Sequence, residues 1–190
     1  MPANNSSINI ESFFATKQRR VAKPGGELLC TGQVRSSRLA MYRAADVESM
    51  LVSQLLYGEC FDCYDQKGLT DNWYLVQSRR DHYVGYVYDS QIENPTFVSN
   101  AKVAKLSTQV YQQPDMKSQL LCQLPLGSEL LVDTNSLNRD QLALAEGNQY
   151  IFSAPLNGWL YQDHLQFNDQ PATDPVAIAR QFIGQSYMWG

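Results

Sequence analysis

The chain has 190 residues, room for one domain or two small ones, because globular domains mostly run to about 100–150 residues. Its 15 Lys+Arg against 19 Asp+Glu give a net charge of −4, and it is 44% hydrophobic and 18% charged. That balance excludes an intrinsically disordered chain and argues against nucleic acid as a partner, and no apolar run approaches the roughly 20 residues of a membrane span.

The first twenty residues, MPANNSSINIESFFATKQRR, hold no apolar stretch of about 7–15 residues behind a basic start, so no secretory signal is read and a cytoplasmic location is expected. Cys30, Cys60, Cys63 and Cys122 are too sparse for a disulfide scaffold and are expected to be free thiols. Residues 1–43 carry seven basic side chains against Glu11 and Glu27, a local excess of +5. Residues 1–28 are thus a basic arm, either docked on an acidic surface or solvated.

Beyond the arm the chain repeats itself. Tyr42-x3-Asp46, followed by Gly58, recurs as Tyr111-x3-Asp115, followed by Gly127, and Leu51 and Leu55 match Leu120 and Leu124. Residues 85–92 then align with 158–165, the offset having grown from 69 to 73. Four extra residues are therefore expected in the second copy, in the polar run 135–140.

Aromatic and β-branched residues dominate Trp73–Gln77 and Tyr83–Tyr88, with the turn-prone run Ser78–His82 between them, which predicts a β-hairpin. Gln149–Phe152 and Trp159–Tyr161 around Pro155–Gly158 predict a second. Gly58 and Gly127 sit where a strand bends or a turn needs positive φ. Each copy reads as about five short strands without a helix. Small all-β units close most economically as barrels, so two tandem β-barrels are expected, 29–95 and 96–168, joined through Asn94–Phe97.

The order of Tyr42-x3-Asp46, Ser53–Glu59, Asn72-Trp73 and Asp81–Val87 resembles the bacterial SH3-like (SH3b) domains that stand in tandem ahead of NlpC-type cell-wall cysteine peptidases. The resemblance implies a mainly β fold of two SH3-like barrels over roughly residues 31–168. It also implies a subsite for the free amino end of a peptidoglycan stem peptide, with Tyr83 as the recognising tyrosine and Glu48 or Asp46 as its acidic partner. A phenol suits that task, since it accepts from an ammonium while its ring walls the pocket.

Asp174-Pro175 signals a helix start, Val176, Ala179 and Ile183 keep helical spacing, and Gly184 stops the run. Residues 169–190 are similar to a linker and the opening of an NlpC-type, papain-like catalytic domain, in which a helix leads to a Tyr-x-Trp-Gly-Gly stretch and then to the catalytic cysteine. Tyr187 matches the active-site tyrosine of that stretch, whereas the nucleophile and both histidines of the family are missing. The chain alone is therefore expected to be inactive. Its partners would be stem peptides with a free amine and a catalytic domain lying beyond it.

The residues offer no substitute chemistry. His82 falls in the predicted turn and His164 after the last strand, so both are expected to face solvent, and neither pairs with Cys63 as a nucleophilic dyad. Cys60-x2-Cys63 lacks a second pair at zinc spacing, and no metal or cofactor is expected. Two functional readings follow: the substrate-recognition part of a γ-D-glutamyl-L-diamino-acid endopeptidase, or a free-standing tandem SH3b module binding peptidoglycan or a protein. A groove for Pro-rich ligands is a weaker third, because the aromatic residues lie where the cores need them.

Overall fold

A computed structural model of the chain describes residues 20–69, 72–88, 94–136, 149–170 and 174–186. The fold is mainly β. The first half contributes β1 (Leu28–Gln33), β2 (Arg38–Tyr42), β3 (Leu51–Leu56), β4 (Cys60–Tyr64), β5 (Trp73–Ser78) and β6 (Val84–Tyr88). The second contributes β7 (Ala101–Val103), β8 (Ser107–Tyr111), β9 (Leu120–Pro125), β10 (Glu129–Leu130), β11 (Tyr150–Ser153), β12 (Gly158–Tyr161) and β13 (Leu165–Phe167). One complete α-helix among the described residues, α1 (Pro175–Arg180), follows.

The repeat is a repeat of hydrogen bonds. In both halves a hairpin carries an irregularity beside the repeated tyrosine, Met41/Tyr42 in β2 and Val110/Tyr111 in β8. The loop after it is closed by an aspartate whose carboxylate takes the amide two residues on, Glu48 to Asp46 at 2.9 Å and Lys117 to Asp115 at 2.8 Å. Gly58 (φ 83°) and Gly127 (φ 89°) donate to Val34 and Val103, each at 2.9 Å. The cores correspond as well. Val34, Met41, Leu55, Phe61 and Val87 fill the first, and Val103, Val110, Leu124, Leu130 and Leu160 fill the second at the matching positions.

Where the copies differ in length, the structure corrects the expectation. Gly85 pairs with Val76 and Gly158 with Ser153, so the offset is 77 in the first strand of that hairpin and 73 in the second. The second copy thus carries eight extra residues between β10 and β11, a stretch that includes the undescribed residues 137–148, and its hairpin turn is four residues shorter.

The sheets are not closed barrels. The first is open, in the order β1-β4-β5-β6-β2-β3, and the second half divides into β10-β7-β13 and β11-β12-β8-β9. Two junctions are a single pair wide: β6 meets β2 at Tyr86 and Tyr42, and β12 meets β8 at Trp159 and Tyr111. After the two-residue β10 the chain touches β11 at the isolated bridge of Asp133 to Phe152. The segment read as a linker is tied down, because the buried Gln33 donates to the carbonyl of Phe97 at 3.1 Å and accepts from the amide of Thr96 at 3.1 Å.

The halves interlock through their glycine turns. Glu129 donates its amide to the carbonyl of Tyr57 at 2.8 Å, and the Tyr57 ring lies in the second core, stacked on Phe97 with centroids 6.0 Å apart. A Cβ on Gly58 would lie 2.1 Å from the Glu129 carbonyl oxygen, whereas one on Gly127 would meet nothing closer than Leu56 Cδ1 at 3.4 Å. Both glycines have left-handed φ, which costs other residues roughly 1–2 kcal/mol. Gly127→Ala should therefore destabilise by about that amount, and Gly58→Ala by a further ~1–3 kcal/mol because backbone must move. Urea unfolding of the two variants checks the order: equal midpoints would refute the interlock.

Candidate functional site

The turn that is longer in the first half is also where its polar chemistry collects. Eight residues lie between Val76 and Gly85, against four between Ser153 and Gly158. Tyr83 ends that turn and packs against the first core, as Leu156 at the matching position packs against the second. The ring is therefore a packing element in both halves, and the hydroxyl is an addition of the first. Its neighbours hold the turn: Ser78 donates its amide to the Tyr83 carbonyl at 2.9 Å, and the Tyr83 amide donates to the Asp81 carboxylate at 3.1 Å. His82 adopts φ 60° there and is exposed, as expected of a turn histidine.

A cation already lies on Tyr83. Arg20 Nη1 donates to the phenol oxygen at 2.5 Å, with the guanidinium carbon 5.8 Å from the ring centroid. Gln77, which is buried, holds the arm in place by donating to the carbonyl of Val21 at 3.2 Å and to that of His82 at 2.9 Å. The end of the basic arm is thus docked on the hairpin of its own chain. Arg80 reaches from the same turn to the buried carboxylate of Glu59 at 2.5 Å, and Glu59 also accepts the Leu56 amide at 2.9 Å.

Asp46 and Glu48 lie on the β2–β3 loop, and the described hydrogen bonds and ion pairs join neither to Tyr83. Asp46 works within its loop as Asp115 does in the other half, while the Glu48 side chain is exposed. Tyr187 falls outside the described residues. A groove of about 540 Å³ on the first half has Leu29, Tyr64, Asp65, Trp73 and Tyr74 in its wall and none of Asp46, Glu48 or Tyr83.

The remaining reactive side chains are dispersed. Cys60 and Cys63 are an odd number of residues apart on β4, so alternation sends them to opposite faces and they cannot share a ligand. Asp174 caps α1 through the amides of Val176 at 2.9 Å and Ala177 at 3.1 Å with Pro175 in the first turn, and the helix ends at Arg180, short of Gly184. Gln181 ties it to the Ala104 carbonyl at 3.2 Å. No described helix is long and apolar enough to cross a membrane.

Residues 41–92 match the family described as the bacterial dipeptidyl-peptidase Sh3 domain. That segment is a bacterial SH3-like domain. Among solved structures, NlpC2 from Trichomonas vaginalis is similar at 10% identity over 84% of this chain and 56% of that one, with a TM-score of 0.29. NlpC1 from the same organism is similar at 11% identity over 82% and 51%, also with a TM-score of 0.29. The chain therefore spans little more than half the length of either. No curated protein matches it by sequence.

His164 departs from its expected place. It is half-buried and shares a 2.9 Å hydrogen bond between Nδ1 and the hydroxyl of the fully buried Thr108. Burial lowers its pKa from the ordinary 6.5, Lys105 lowers it further, and Asp163 partly opposes them. The fold favours the neutral ring, so the stability His164 contributes is complete above about pH 6.5 and is lost as the pH falls through the depressed value. Thermal unfolding between pH 7.5 and 5 should fall less steeply for His164→Asn than for the parent. Parallel curves would show that the imidazole does not titrate with folding.

Proposed function

We propose that this chain is a tandem pair of SH3-like domains forming the substrate-recognition and scaffold part of an NlpC-type cell-wall endopeptidase that cleaves γ-D-glutamyl-L-diamino-acid bonds, acting on muropeptides in the cytoplasm. The observation that carries the reading is the cation on Tyr83. Its phenol accepts from a guanidinium whose charge lies against the ring, and an ammonium at the amino end of a stem peptide would make the same two contacts. The second half, with Leu156 at that position, offers no phenol, so recognition belongs to the first domain. Glu48, exposed on the β2–β3 loop, is the acidic partner of choice, because Asp46 has spent a lone pair on its own turn.

Cleavage is assigned to a catalytic domain outside this chain. Val176, Phe182 and Ile183 stand 56%, 49% and 79% exposed on and after α1, which supports a further partner for that segment over a free-standing module.

The reading is tested by calorimetric titration of the 190-residue chain with L-Ala-γ-D-Glu-diamino-acid peptides, free and N-acetylated. Binding should require the free amine. Tyr83→Phe removes one hydrogen bond to a charged group and should weaken it by about tenfold, and Glu48→Gln by a smaller factor. Arg20→Ala, which clears the phenol, should strengthen it. Equal affinity for the acetylated peptide would sink the assignment, and product release by the chain alone, abolished by Cys63→Ala, would overturn the placing of the chemistry elsewhere.

A further inference from the structure

Register on β1 and β4 brings together two cysteines that lie 33 positions apart in sequence. Cys30 and Cys63 are direct cross-strand partners in the antiparallel ladder. Both belong to the first core cluster, Cys63 fully buried and Cys30 half-buried at its edge. Directly opposed residues of an antiparallel pair have Cα atoms about 4.5–5.5 Å apart, inside the roughly 4.4–6.8 Å that a disulfide spans. The fold does not ask for thiols here: the matching positions of the second half hold Ser99 and Val132. Neither of the other two cysteines competes, since Cys60 faces away from Cys63 across β4 and Cys122 belongs to the other core.

We infer that Cys30 and Cys63 form a reversible redox staple, oxidised by hydrogen peroxide to a disulfide that locks the edge strand β1 onto β4. The half-buried Cys30 is the entry point. Its thiolate attacks the peroxide, forming an S–O bond and breaking O–O, and the departing oxygen leaves as water, so that Cys30 becomes a sulfenic acid. Sulfur of Cys63 then attacks that of Cys30. The S–S bond forms, S–O breaks, and the hydroxide leaves as water with the Cys63 proton. Two thiols are oxidised by two electrons and one peroxide is reduced to two waters. Burial keeps Cys63 in its neutral form until Cys30 has reacted, which makes Cys30 the sensor and Cys63 the resolving thiol.

The experiment treats the reduced full chain with hydrogen peroxide at near-equimolar ratio, then alkylates and maps the remaining thiols by mass spectrometry. Two of the four thiols should be lost, a proteolytic fragment should join Cys30 to Cys63, and the melting temperature should rise by several degrees, all reversed by dithiothreitol. Cys60→Ser combined with Cys122→Ser should leave the reaction intact. Cys30→Ser and Cys63→Val, which copy the second half, should abolish the linkage. Four surviving thiols, a link through Cys60 or Cys122, or Cys30 trapped as sulfenic or sulfinic acid in the parent would each overturn the inference.

Discussion

The amide of Glu129 donates to the carbonyl of Tyr57, and on that backbone contact the rest of the molecule depends. Each half is a small strand-only unit, of a size at which a single apolar core is marginal. The turn at Tyr57 and Gly58 answers this by carrying a first-half ring into the second core, where it stacks on Phe97. The reciprocal turn at Gly127 faces Leu56 and Arg80 of the first half. Arg80 is ion-paired with the buried Glu59, so one side chain neutralises a carboxylate in one half while covering a glycine of the other. Ser37 adds a hydrogen bond from its hydroxyl to the carbonyl of Gln123 at 2.7 Å. Open sheets can persist in such an arrangement, because part of each half is closed off by the other.

What was legible in the sequence was whatever depends on neighbours along the chain. The hairpins, the glycine turns, the Asp174 cap and the doubling of the Tyr-x3-Asp loop all follow from local residue chemistry, and all are present. What was illegible depends on register. A net offset of four concealed eight residues gained before β11 and four lost from its hairpin, since spacing counted along the chain sees only their sum. Barrel closure was expected from strand count, yet β6 meets β2, and β12 meets β8, at a single pair each. His164 looked solvent-facing because its partner Thr108 is 56 positions away. The Cys30–Cys63 pairing was hidden for the same reason, while the nearer Cys60 drew the eye to a spacing that strand alternation makes useless.

The docked arm is tied into the first half through Gln77. Gln77 is a buried polar side chain near the end of β5, and burying an amide is costly unless its groups are satisfied. Its NH2 donates to the carbonyls of Val21 and His82 and its oxygen accepts from the Tyr64 hydroxyl at 3.4 Å, so arm, turn and β4 together meet the requirement that Gln77 creates. When the arm lifts, the donation to Val21 is lost and that to His82 remains. Arm docking is thus coupled to the hairpin through a side chain that also positions the backbone beside Tyr83.

The first half carries polar chemistry that the second lacks. Both pack the same core positions, close the same loop with an aspartate and bend at the same glycines, so those features are requirements of folding. The first half adds a buried carboxylate at Glu59, a buried amide at Gln77, a phenol at Tyr83 and a longer turn, where the second has Ser128, Ala154, Leu156 and a short one. Buried polar groups stabilise a fold less than apolar residues of similar volume unless every partner is supplied. Glu59 has a structural use through Arg80 and Gln77 through the arm and the turn, but packing asks only for a ring or an apolar group at Tyr83, as Leu156 shows. A turn kept for folding alone would need no more than Ala154–Asn157, the four residues with which the second half closes the same hairpin.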